Sequence, residues 1–116
     1  MEETLQFLVM VEGPADEATV LDLVRTGLPD AVPYRRGSVQ VRGNLLEINH
    51  NEFADPRLAA TDPDDGFLSF GWRVELTPAD ATVDEDHQIL LARALVRTFE
   101  HAGAQAVVCA NFEDRV

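Results

Sequence analysis

Apolar and polar positions alternate along this chain in blocks that predict strands and helices in turn. Thr4 to Val11 (TLQFLVMV) is a nearly unbroken apolar run, which predicts a strand buried on both faces. Gly13-Pro14 ends it, and Pro14 suits the first position of a helix whose first turn holds Asp16 and Glu17. Ala18, Leu21, Val24 and Leu28 recur at helical spacing and Gly27 is a C-terminal stop, so the first helix is expected from about 14 to 26.

Pro29 to Pro33 reads as a loop. Tyr34 to Arg42 is expected as a half-exposed strand, with Val39 and Val41 alternating with Ser38, Gln40 and Arg42, and Leu45 to His50 follows, with Leu46 and Ile48 on one face and Glu47 and Asn49 on the other. Gly43-Asn44 between them predicts a hairpin of the II′ kind, with one bulged strand as the alternative. Glu52 to Gly66 has two Asp-Pro pairs and no clear period, so it is expected to be a loop with one short turn at 57–60. Phe67 to Thr77 is the clearest strand pattern, with Leu68, Phe70, Trp72, Val74 and Leu76 on one side. Thr82 and Glu85 have capping-box spacing, and Leu91, Leu95, Phe99 and Ala102 form the stripe of a helix that Gly103 closes. Gln105 to Asn111 is a small apolar strand, and Phe112 to Val116 a polar tail.

The resulting order predicts an α+β fold: a ferredoxin-like βαββαβ sandwich with a four- to five-stranded, mainly antiparallel sheet and two helices on one face. The first and last strands, being the most uniformly apolar, are expected at its centre. Length fits a single domain over 1–116.

Charge changes the picture more than any motif. There are 21 acidic against nine basic residues, a net −12, and every basic residue is arginine. Such a surface repels phosphate backbones and anionic membranes, so neither direct nucleic-acid binding nor membrane docking is expected. It favours a basic protein partner. The acids are clustered: five in residues 1–17, five in 52–65 and four in 78–87, while 31–46 holds three arginines and no acid. Glu52, Asp55, Asp62, Asp64, Asp65, Asp84 and Glu85 are the expected partner-binding residues, joined in one acidic surface. Arg35, Arg36 and Arg42 are the expected counter-patch, able to meet that surface in a second copy as a homodimer. No run reaches the roughly 20 apolar residues of a membrane span. Met1-Glu2-Glu3 lacks the positive start of a secretory signal, so a cytoplasmic protein is expected.

Candidate chemistry is sparse. Cys109 lies in an apolar run and reads as a buried small side chain. No nucleotide-binding glycine loop, zinc spacing or nucleophile elbow is present, and no cofactor is expected. The best polar group is Glu47, His50 and Glu52, a ligand, metal or acid–base candidate, although regular strand geometry points Glu47 and His50 to opposite faces. Three functions follow. The first is a non-catalytic acidic protein-binding module, in its sharpest form an inhibitor or immunity protein capping a basic partner. The others are a small-ligand or metal-binding regulatory domain, and a small enzyme working through His50 and nearby carboxylates.

Overall fold

The computed structural model describes residues 5–116, so the predicted start of the first strand at Thr4 lies outside the described residues. In chain order the elements are β1 (Phe7–Glu12), α1 (Glu17–Gly27), β2 (Val32–Arg35), β3 (Ser38–Val41), β4 (Asn44–His50), α2 (Pro56–Thr61), β5 (Trp72–Pro78), α3 (Glu85–His101) and β6 (Gln105–Cys109). The six strands form one sheet in the order β2-β3-β4-β5-β1-β6, every neighbouring pair antiparallel.

Register explains the core. Val9 faces Val74 on one side and Val108 on the other, while Leu46 and Ile48 stand opposite Leu76 and Val74. These side chains share a face with Phe7, Val11, Val39 and Val41, and bury against Val20 and Val24 of α1 and Leu91, Ala92, Leu95 and Phe99 of α3. The alternation read from the sequence thus selects the covered face.

Several expectations are corrected. Among the described residues the sheet has six strands rather than four or five, and there are three helices rather than two: the stretch expected as a loop holds α2, which Asp55 caps and Pro56 opens. The extra strand, β2, is exposed along its whole length and carries Pro33; its alternation, Val32 and Tyr34 against Pro33 and Arg35, runs over four residues only and straddles the expected loop end at Pro33 and strand start at Tyr34. The last strand is an edge, not central; its small residues are half-buried because α3 covers one face only. The β3–β4 turn is Arg42-Gly43, both at positive φ (49° and 78°), which is the I′ geometry; Asn44 instead closes the ladder opposite Val41. Helix α1 begins three residues after Pro14, capped by Asp16 accepting from the Thr19 amide. The Pro14 carbonyl accepts from the Trp72 indole at 3.0 Å. Asp84, not Thr82, caps α3, because Asp80 takes both the amide and the hydroxyl of Thr82. Residues 66–69 form a 3₁₀ turn in place of the start of a long strand, which leaves Leu68 exposed. The tail is not wholly polar in role: Phe112 is buried edge-on against Phe7, ring centres 5.7 Å apart.

Two contacts fix how the helices sit. A Cβ at Gly27 would come within 2.3–2.8 Å of three Thr98 side-chain atoms, so α1 and α3 approach at a spacing that only glycine allows. Gly27→Ala is expected to lower stability by about 1–3 kcal/mol in urea unfolding, with partial recovery in the Gly27→Ala/Thr98→Ala double variant. Second, Gln88 of α3, fully buried, exchanges reciprocal amide hydrogen bonds with Asn44 of β4 (2.8 and 2.9 Å) and donates to the Leu5 carbonyl.

Three aspartates are held below the usual carboxylate range. The Thr19 hydroxyl and then its amide do this to Asp16, the Thr82 amide and then its hydroxyl to Asp80, and the Arg42 guanidinium to Asp30. A pKa lower folded than unfolded adds stability above the unfolded value, and that stability is lost as pH falls through the folded value. Thermal unfolding followed on acidification below the ordinary aspartate range is expected to show this loss. The Asp16→Ala/Asp80→Ala variant is expected to show a shallower decline.

Candidate protein-binding surface

Strands β4 and β5 stay paired up to His50 opposite Trp72, so the chain leaves and re-enters the sheet at adjacent positions. A hairpin needs a loop of roughly two to five residues there. This chain places positions 51 to 71 in the gap, 21 residues, with α2 and the 3₁₀ turn inside them.

The excursion is tied at its root. Asn51, 2% exposed, donates from Nδ2 to the carbonyls of Leu68 (2.9 Å) and Phe70 (2.7 Å), and its Oδ1 accepts from the Phe53 amide. Asp55 caps α2 through the amides of Arg57 and Leu58, while its own amide donates to the Ser69 carbonyl. Asp62 Oδ1 accepts from the amides of Asp64 and Asp65. A Cβ at Gly66 would stand 3.0 Å from the Leu58 carbonyl, so the returning chain packs directly on the α2 backbone.

What this ordered segment presents is unusual for its length. Phe53 (73% exposed), Leu58 (48%) and Leu68 (54%) are three of the six large apolar side chains exposed among the described residues. Around them in sequence stand Glu52, Asp62, Asp64 and Asp65, all exposed, and Asp55, half-buried. Among the described residues none of these carboxylates has an ion-pair partner; the pairs found involve Asp30, Glu75, Glu85 and Asp86. Along the segment, exposed apolar side chains are thus interspersed with acids that lack an ion-pair partner and with one exposed arginine, Arg57.

The structure divides the expected acidic surface in two. Asp84 and Glu85 follow the far end of β5, while 51–71 precedes its near end, and seven strand residues span roughly 20 Å. At the far end Arg115 binds both Glu85 and Asp86, so part of that charge is neutralised. The arginine patch is likewise divided. Arg35 and Arg36 lie at the β2–β3 turn, with Arg35 stacked 5.1 Å from the Tyr34 ring centre. Arg42 lies at the other end of β3, paired with Asp30 at 3.1 Å.

Within β4, Glu47 projects from the face that α1 and α3 leave open, opposite Glu75, and His50 from the other face, edge-on to Trp72 at 5.4 Å. Glu52 lies beyond the strand. Among the described residues no three His, Cys, Asp or Glu side chains come together in a way that could hold a metal ion. Burial, then the charge of Glu113, raises the Cys109 thiol above its usual range, which disfavours the thiolate.

Sequence reading identified the acids of 52–65 but not Phe53, Leu58 and Leu68. Their signal was the length of a segment without periodicity between two strong strands. Among the described residues no helix is long and apolar enough to cross a membrane. No protein-family description, curated protein or solved structure matches the chain.

Proposed function

We propose that this chain is an acidic protein-binding module without catalytic chemistry, of the inhibitor or immunity type, that caps a basic partner with the 51–71 excursion. The observation that carries the reading is a 21-residue, internally bonded excursion where a tight turn would close the hairpin, bearing, among the described residues, half of the exposed large apolar side chains, interspersed with acids that have no ion-pair partner. Phe53, Leu58 and Leu68 supply contact area, and the carboxylates steer and select a positively charged partner. The enzyme reading is weaker: among the described residues no carboxylate bonds His50, whose neighbour is the Trp72 ring. We read the strands β6-β1-β5-β4 with α1 and α3 as a ferredoxin-like core to which the β2–β3 hairpin adds an edge; strand order and antiparallel pairing support this.

A second reading, a small-ligand regulatory domain, is favoured by an open groove of about 810 Å³ between α1 and α3, lined by Leu23, Leu28, Arg97 and His101. Arg42 and Arg97 also line it, together with one acid, Glu100, so its apolar walls and two guanidinium groups suit a small organic anion.

The test is affinity capture from the source cells on the immobilised chain, at low and high salt, against Asp62→Asn/Asp64→Asn/Asp65→Asn. Asparagine retains the Oδ1 acceptor at position 62, so the turn is preserved. A discrete basic protein is expected to be captured at low salt and lost at high salt, with capture weakened on the order of tenfold in the triple variant. Asp84→Asn/Glu85→Gln is expected to leave capture unchanged. Retention by the triple variant with no salt effect would refute the reading.

A further inference from the structure

Resting on the reading above, we infer that the basic partner presents an extended segment, which adds as a seventh strand to the free edge of β6 beside the acidic excursion. The two edges of the sheet differ in a way that decides where addition can occur. β2 carries Pro33, which has no N–H to donate, an irregular register between Pro33 and Arg35, and a charge at Arg35. Each of these blunts an edge against strand addition. β6 has none of them: Gln105 to Cys109 holds no proline and no charge, and pairs with β1 in unbroken register. Its outward row of backbone N–H and C=O groups has no strand beside it among the described residues. An antiparallel or parallel peptide strand would satisfy them.

The excursion supplies the recognition that an edge alone lacks. Ala106 and Val108 pack towards the core, so Gln105 and Val107 point to the other face. There they line a cavity of about 280 Å³ together with Ala59, Asp62, Pro63 and Phe67 of the excursion. Gln105 and Val107 are the only sheet residues in that lining, which puts the cavity at the outer strand. A strand added to β6 would project alternate side chains towards this cavity. Its lining sets the side chains of Ala59, Pro63, Phe67 and Val107, against which an aliphatic stem can lie, among polar atoms, and Asp62 supplies a carboxylate for a cationic head. The occupant is therefore an extended segment alternating lysine or arginine with small apolar residues. A second copy of this chain, itself at net −12, suits the acidic turn poorly.

The test uses the whole chain and three fluorescent peptides: an alternating Lys-Val peptide, the same peptide N-methylated at every residue so that neither edge keeps a donor, and its Glu-Val counterpart. N-methylation keeps the charge but removes the donors that face the edge. Anisotropy is expected to show binding of the Lys-Val peptide, weakened on the order of tenfold or more by N-methylation, with no binding of the Glu-Val peptide. Amide hydrogen exchange is expected to slow in β6 when the Lys-Val peptide binds. Val107→Lys is expected to abolish binding. Ala60→Lys, on exposed helix surface, makes the same test should Val107→Lys fail to fold. Equal binding of the parent and N-methylated peptides would overturn strand addition while leaving electrostatic capture intact. Capture of a basic protein from cells without any binding of the Lys-Val peptide would also overturn it, as would a β6-dependent dimer that excludes the peptide.

Discussion

Gln88→Leu should cost the fold on the order of 2–4 kcal/mol, seen as a lower urea midpoint with an unchanged slope. Gln88 is fully buried and holds three hydrogen bonds: two reciprocal ones with the Asn44 amide and one to the Leu5 carbonyl. Leucine keeps most of the volume but leaves the Asn44 Oδ1 and one of its two Nδ2 hydrogens, in a side chain 1% exposed, against an apolar neighbour. An unpaired buried polar group costs about 1–3 kcal/mol, and the Leu5 carbonyl adds part of another. The Asn44 Nδ2 also donates to the Arg42 carbonyl, so the β3–β4 turn should loosen in step. Asn44→Leu/Gln88→Leu should recover part of the loss, because it removes both amides together. A double variant as unstable as the sum of the singles would show that the two side chains act independently.

Asn51→Ala should have an effect of similar size with a different signature. Its side chain makes three hydrogen bonds, to the two carbonyls that end the excursion and from the amide that begins it. Two carbonyls and an amide would lose their partner together, a local cost of about 2–3 kcal/mol. Hydrogen exchange should therefore accelerate across 52–70 far more than in β1 or α3. Partner capture should fall although every acid and every exposed apolar side chain is still present, because an unlatched excursion must be ordered on binding. Uniform acceleration across the sheet would instead make Asn51 a global support.

These two side chains also mark where sequence reasoning runs out. Strand and helix faces were legible wherever burial imposes a period: Val9 and Val11, Leu46 and Ile48, Leu91, Leu95 and Phe99 all fall on the covered side. β2 was not legible as a separate strand, because the alternation of Val32 and Tyr34 spans only four residues and is interrupted by Pro33. Thr82 and Pro14 misled because local capping rules name residue types, whereas Asp80 and Trp72 claim those groups from outside the helix. Leu68 and Phe70 continued the alternation of β5 past Trp72, yet Asn51 draws that stretch into a turn through contacts 17 and 19 residues distant. The acids of 52–65 were legible as composition. Their separation from Asp84 and Glu85 was not, since it depends on which end of β5 each segment adjoins.

Ionic strength tests most directly the proposed capture of a basic partner by charge on the 51–71 excursion. The affinity of the captured partner should be measured across a salt series for the native chain and for Asp62→Asn/Asp64→Asn/Asp65→Asn. The native chain should weaken steeply as salt rises, and the triple variant should start weaker and follow a shallower slope, the two converging at high salt. Parallel curves of equal slope, or an affinity indifferent to salt in both, would contradict it.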